Sequence, residues 1–207
     1  MGGGGPSCDV LVVGMPKSGK TSLVRQLKAC TLPCEAPRSG LGPEPMSEVS
    51  LKTIDTFVEL TEVRVVGGRT LVLREVGGVM VTLWPEYTHD CRCVCFVVDA
   101  GGDRRWVDDA AEEFDKILGD PDLQDVPVAV FFNKVEAGTR VPGAELARRF
   151  FVAERIRADQ VRVAAGRRPR LGFMEGSAVT GEGVQDLLAW AIDRLGYAPA
   201  ATPRATP

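Results

Sequence analysis

Val10-Leu11-Val12-Val13-Gly14-Met15-Pro16-Lys17-Ser18-Gly19-Lys20-Thr21-Ser22 decides the fold. A short apolar run leads into Gly14-x-x-x-x-Gly19-Lys20-Thr21. An apolar-periodic stretch, Leu23, Val24 and Leu27, follows. This order places a glycine-flanked loop between a buried strand and the start of a helix. The glycines let the backbone curl so that its N–H groups converge on an anion, and the new helix adds its positive end. Lys20 is placed to reach phosphate oxygens and the Thr21 hydroxyl to hold Mg²⁺. The candidate phosphate-binding set is Gly14, Pro16, Lys17, Ser18, Gly19, Lys20, Thr21 and Ser22.

Working outward, residues 1–7 read as a flexible Gly-rich leader and 198–207 as a disordered Pro/Ala/Thr-rich tail. Between them one domain, 8–197, is predicted. Its first strand covers 9–13 and its first helix 19–29. Residues 31–50, with prolines at 33, 37, 43 and 45, form a long Pro/Gly-rich loop of a length that is usually functional or disordered. The β-branched runs 56–66 and 69–76, separated by Gly67-Gly68, predict an antiparallel hairpin. Residues 79–90 read as irregular, and 91–99 as a central strand buried on both faces. A helix at 104–118 follows, with Trp106, Ala110, Phe114, Ile117 and Leu118 near helical spacing. A strand at 126–132, a helix at 143–160, a strand at 171–175 and an amphipathic helix at 183–195 complete the chain. Crossover helices must cover both faces of such a sheet. The expected fold is therefore a doubly wound, three-layer α/β domain with a six-stranded, mostly parallel sheet, one antiparallel edge and about five helices.

Bulk properties exclude several classes. A net charge of −3 gives no global field that attracts nucleic acid. No apolar run approaches the ~20 residues that span a bilayer, and Pro6 stands where a myristoylation signal wants Ser or Thr. A protein without a stable membrane anchor is expected, in the cytoplasm. Cys91, Cys93 and Cys95 alternate, so on a strand they share one face as small buried hydrophobes. A zinc site drawing on Cys30, Cys34 and that cluster matches no finger spacing. His89 reads as an exposed turn residue. The arginines 148, 149, 155, 157, 162, 167, 168 and 170 read as a solvated helix face plus loop or as a docking surface for acidic lipid or protein.

Three further segments stand at predicted strand ends, where ligands of such folds bind. They are Glu75-Val76-Gly77-Gly78, Asn133-Lys134-Val135-Glu136 and Gly176-Ser177-Ala178-Val179. With Val97-Val98-Asp99-Ala100-Gly101-Gly102-Asp103-Arg104, they make residues 8–196, outside the 31–50 loop, resemble the small GTPases and, among these, the ADP-ribosylation factor (Arf)-like branch. The resemblance implies a Ras/Arf-like P-loop NTPase fold and a molecular switch that binds GTP and GDP with Mg²⁺. Asn133, Lys134, Glu136, Ser177, Ala178 and Val179 would cup the guanine, with Ala178 offering its N–H to the base carbonyl. Gly78 would join the phosphate set, and Thr21, Thr56 and Glu75 the metal set, Thr53 being the alternative to Thr56. Protein effectors and regulators would dock on 50–60 and 77–90, and the closest likeness within the branch implies a cilium-associated role.

Four departures qualify this. Val79 stands in place of the family's catalytic glutamine and cannot orient a water, so very slow intrinsic turnover is expected. Glu136 replaces the base-reading aspartate and adds a methylene. Pro16 lacks an N–H to donate. Glu59 and Arg74 replace two of the three aromatics of the family's effector patch, leaving Tyr87. The departures keep a second reading open, a pseudo-GTPase interaction module. A third, a small-molecule kinase on the same core, is opposed by Asn133-Lys134 and Ser177-Ala178.

Overall fold

The computed structural model describes residues 8–31, 58–65, 69–138 and 140–197. Within them run β1 (Cys8–Val13), α1 (Lys20–Thr31), β2 (Val58–Val65), β3 (Arg69–Val76), β4 (Cys91–Asp99), α2 (Arg104–Gly119), β5 (Val128–Asn133), α3 (Gly143–Arg149), α4 (Val152–Ala164), β6 (Leu171–Glu175) and α5 (Val184–Arg194). The six strands lie in the order β2-β3-β1-β4-β5-β6. Only β2 and β3 pair antiparallel; every other neighbour is parallel. This is the doubly wound α/β sheet with one antiparallel edge that the strand–helix alternation requires. Strands β1, β4 and β5 are nearly continuous apolar runs, interrupted only near their ends, because both of their faces are covered.

Each face has its own core. Leu23, Val24 and Leu27 of α1 and Val184, Leu187 and Ala191 of α5 cover one. Val107, Ala110, Phe114 and Ile117 of α2, with Leu146 and Phe150, cover the other. There Phe96, Phe114, Phe150 and Phe132 form a chain of rings with centroids 5.4, 5.7 and 5.1 Å apart, each ring contributing about 2 kcal/mol by burial. The buried stripe of α2 runs through Val107; Trp106 is only half-buried.

Three expectations are corrected. The predicted helix 143–160 is two helices. Phe150 is fully buried, and Phe151, next to it, cannot occupy the same helical face. The chain turns there with a left-handed φ of 47°, leaving Phe151 exposed. The segment read as irregular is a kinked 3₁₀ stretch, Gly78–Tyr87. Its repeat is three residues, so Val81, Trp84 and Tyr87 line up inward; Trp84 donates its indole N–H to Gly77 O at 3.3 Å. The alternating cysteines do not share a face. Cys93 and Cys95 join the α1/α5 core, whereas Cys91 leaves the preceding turn with its thiol on Thr88 O (3.2 Å) and packs with Cys8 in the other core. Burial pushes the Cys91 and Cys95 thiols up to about 12, so these are inert core groups.

At the sheet end where β1 and β4 begin, Asp9 organises a second polar knot. One of its oxygens accepts from Arg92 (2.8 Å) and from the Tyr197 hydroxyl (3.0 Å), and the other accepts the Val72 N–H of β3 (2.9 Å). The guanidinium groups of Arg69 and Arg92 each lie 5.0 Å from the Tyr197 ring centroid. Tyr197, three residues past α5, thus ties the sheet together at the end opposite the Gly14–Lys20 loop.

Candidate nucleotide-binding site

The loop after β1 is shaped by residues that need left-handed backbone. Gly14 has φ +150° and Gly19 φ +93°; an added Cβ would lie 2.2 Å from Val97 O at the first and 2.3 Å from Asn133 Nδ2 at the second. Lys17 adopts φ 61° without being glycine, a local strain held by its surroundings. The ammonium of Lys20 is buried and bonds back to Gly14 O and Met15 O, each at 3.1 Å. The Ser18 hydroxyl is buried and has no hydrogen-bond partner among the described residues, an orphan polar group inside a loop shaped to hold an anion.

Thr21 and Glu75 meet from different elements. The Thr21 hydroxyl opening α1 donates to Glu75 Oε1 at the end of β3, at 2.6 Å. Burial raises the Glu75 carboxyl above the usual glutamate range, partly offset by that bond and by Lys20. A hydroxyl and a carboxylate side by side are hard oxygen donors of the kind Mg²⁺ takes. Gly78 lies directly against the loop: a Cβ there would be 2.3 Å from Pro16 N. Thr56 and Thr53 lie outside the described residues.

Across the loop, β5 delivers the second half of the site. Asn133 is buried; its amide nitrogen donates to Ser18 O and its amide oxygen accepts from the Ala178 N–H, both at 2.8 Å. Lys134 adopts φ 69° and sends its ammonium to Lys17 O at 2.7 Å. The buried Ser177 hydroxyl accepts from Val179 N (3.1 Å) and Thr180 N (2.9 Å), fixing the curl of its own loop. Asn133, Lys134, Ser177 and Ala178 therefore gather around the Gly14–Lys20 loop. Glu136 and Val179 are exposed at the rim, and Ser22 is half-buried on α1. The Ala178 N–H, expected to be on offer to a ligand, is bonded to Asn133.

A family model described as the ADP-ribosylation factor family matches residues 4–195. The chain belongs to the ADP-ribosylation factor family. Among curated relatives, this Arf-family protein is 26% identical over 189 residues to ADP-ribosylation factor-like protein 3 of Saccharomyces cerevisiae, covering 90% of this chain and 84% of that one. It is 28% identical over 188 residues to ADP-ribosylation factor-related protein 1 of Rattus norvegicus, covering 88% and 82%. Among solved structures, the Arl6 (BBS3) small GTPase of Trypanosoma brucei, with the bound nucleotide analogue GppNp, superposes with a TM-score of 0.64. It has 20% identity, over 93% of this chain and 99% of that one; the likeness concerns the fold.

Other residues of this Arf-family chain take places the sequence did not reveal. Arg74, read as a substitution in an effector patch, is 7% exposed and turns inward. It holds Asp90 with two bonds, of 2.5 and 2.9 Å, which keeps the Asp90 carboxyl below its usual range. The arginine-rich stretch is largely neutralised in place. Arg149 pairs with Glu145 and Asp108, Arg155 with Asp115, and Arg162 and Arg167 with Asp125. Arg170 is half-buried and donates to Val126 O at 3.1 Å; Arg148, Arg157 and Arg168 are left at the surface, which favours the solvated-face reading. Asp99 was missed as a site residue. It closes β4 directly opposite Asn133 in the register of β5, and a lone acidic residue ending a buried apolar strand was the available signal.

Proposed function

We propose that this chain is a guanine-nucleotide-binding switch of the Arf-like type that uses Mg²⁺ and hydrolyses GTP very slowly unless a partner intervenes. The observation that carries the reading is Asn133. One amide spans from the phosphate loop, at Ser18 O, to the base-side loop, at the Ala178 N–H, so a single purine nucleotide fits across all three segments. Thr21 and Glu75 are the residues here that would hold Mg²⁺, which would screen phosphate charge. Lys20, the loop amides and the Ser18 hydroxyl would take the phosphate oxygens. Guanine is favoured because a carboxylate at position 136 can accept from the N1–H and exocyclic amine that adenine lacks. Slow hydrolysis follows from Val79, whose side chain has no hydrogen-bonding group for a water. Within the family, Arg74-Glu75-Val76-Gly77-Gly78, the short step to Trp84 and the run from Cys91 to Asp99 resemble ADP-ribosylation factor-like protein 16. A cilium-associated role rests on that likeness, and imaging of the tagged protein in ciliated cells tests it.

Val58, Leu60, Val79 and Leu83 expose apolar side chains beside the site; we take them as the face for protein effectors and regulators. The test of the switch is binding of fluorescent GTP, GDP and ATP with and without Mg²⁺, followed by single-turnover hydrolysis. Guanine-selective, Mg²⁺-enhanced binding with little turnover is expected. The Ala178 N–H already bonded to Asn133 and the exposed position of Glu136 favour a second reading, a pseudo-GTPase that binds nucleotide weakly or not at all. Absence of binding would establish it, provided Lys20→Ala also leaves partner capture unchanged.

A further inference from the structure

Asp99 is the one carboxylate among the described residues that an ion pair joins to the base-side segment at the phosphate loop. Its side chain is 13% exposed and its Oδ2 accepts from Lys134 Nζ at 2.6 Å. The same ammonium donates to Lys17 O at 2.7 Å. The other Asp99 oxygen accepts the Gly101 N–H at 2.9 Å and so shapes the turn that leaves β4. That turn packs on the Lys134 segment: a Cβ on Gly101 would be 2.9 Å from the Ala137 methyl. Two residues in left-handed backbone, Lys17 and Lys134, are thus bridged by one ammonium, and Asp99 holds that ammonium in place. Charge adds to geometry. The ammonium groups of Lys20 and Lys134 both rest on backbone carbonyls of one loop, and Asp99 supplies a counter-charge to the second. A charge-assisted bond of this length, largely shielded from water, is among the stronger ones available to a side chain.

We propose that Asp99 is a positioning residue for nucleotide retention. By clamping Lys134 onto Lys17 O, it joins the base-side and phosphate-side loops into one body, so that neither half of a bound nucleotide is released alone. Resting on the guanine-nucleotide reading above, this adds a residue whose charge acts through Lys134 rather than on the ligand. An acid does what a neutral side chain would not, since it supplies the compensating charge as well as the bond.

The test is the release rate of a fluorescent GDP and a fluorescent GTP analogue from the full chain with Mg²⁺, chased with unlabelled nucleotide. Asp99→Ala should release both about tenfold faster, the effect of losing about 1.4 kcal/mol. Asp99→Asn keeps the turn bond to Gly101 and loses only the charge, and should fall between Asp99→Ala and wild type. The deciding readout is a double-mutant cycle with Lys134→Ala: Asp99→Asn, which keeps the turn bond, should add nothing to release once Lys134 is gone. Additive effects, or unchanged release in a folded Asp99→Asn protein, would overturn the proposal while leaving the switch reading intact. No guanine-nucleotide binding by wild type would overturn both.

Discussion

Lys20 has two neighbourhoods. Towards β5, Asn133, Lys134 and Asp99 spend their polar groups on one another, on the Ala178 N–H and on the phosphate loop, at 2.6 to 2.8 Å, while the Ser177 hydroxyl fixes its own loop at 2.9 and 3.1 Å. Towards β3, Thr21 and Glu75 are joined and Gly78 touches Pro16, and the next side chain is Val79, apolar and 56% exposed. The first neighbourhood is dense in fixed bonds; in the second, on the switch reading, an apolar side chain stands where a water-orienting group would act. Holding depends on many fixed bonds at once, whereas hydrolysis depends on one group placed against one water. A chain can therefore keep the first and lose the second by changing a single residue, and on our reading this one has.

The largest effect should come from the holding side. Asn133→Ala removes both bonds of the buried amide and leaves Ser18 O and the Ala178 N–H unsatisfied. We expect about 3 kcal/mol, or about a hundredfold, lower affinity for fluorescent GDP, read by equilibrium titration. Unchanged affinity would mean that the bridge has nothing to do with ligand. On the other side, Val79→Gln should raise single-turnover GTP hydrolysis about tenfold and leave GDP affinity as it was. If the rate stays flat, a residue on a partner or outside the described residues supplies the water-orienting group.

How far this division was legible in the sequence follows from what each residue contacts. The Gly14–Thr21 pattern, the apolar runs of β1, β4 and β5 and the 3.6-residue stripe of α5 report local conformation and burial, and these gave the fold. Asn133 and Lys134 were legible because they sit at a strand end and match the base-side motif of the resembled family. Asp99 was not, since its meaning depends on Lys134, 35 residues further on, approaching it across the β4–β5 register. Arg74 misled for the same reason: its partner Asp90 lies beyond a 3₁₀ stretch whose three-residue repeat does not show as a helical or strand period. The Phe150-Phe151 break was hidden because each residue alone suits a helix; only the shape of the core forbids both.

The Arg74–Asp90 pair offers a smaller way to loosen the Val79 side alone, since it lies just past the far end of the 3₁₀ stretch that carries Val79. Arg74 holds the Asp90 carboxyl below its usual range. The resulting stability is therefore fully present above the ordinary aspartate value and is lost as pH falls through the depressed one. The pair is partly open to solvent, with Asp90 27% exposed, so we expect only about 1 kcal/mol. Thermal unfolding across pH 2 to about 6 should show this acid-side loss in wild type and a flatter profile in Asp90→Asn. Hydrogen exchange should show the loosening confined to residues 78–90. Loosening that reached the Asn133 segment would erase the distinction between the two sides.

The smallest effect should come from Glu136, the member of the base-side set that the bond network leaves out. It is exposed at the rim, and its longer side chain carries the carboxylate one methylene further from the backbone than an aspartate would. That freedom costs rotamer entropy on binding, about 0.5 to 1.5 kcal/mol for an immobilised side chain. Glu136→Asp should therefore tighten GTP and GDP about threefold and leave ATP unchanged, as read by competition titration. Equal tightening of ATP would mean that the carboxylate does not read the base at all. Weaker guanine binding would mean that the longer reach fits this pocket, whose floor is set by Asn133 and Lys134 rather than by the rim.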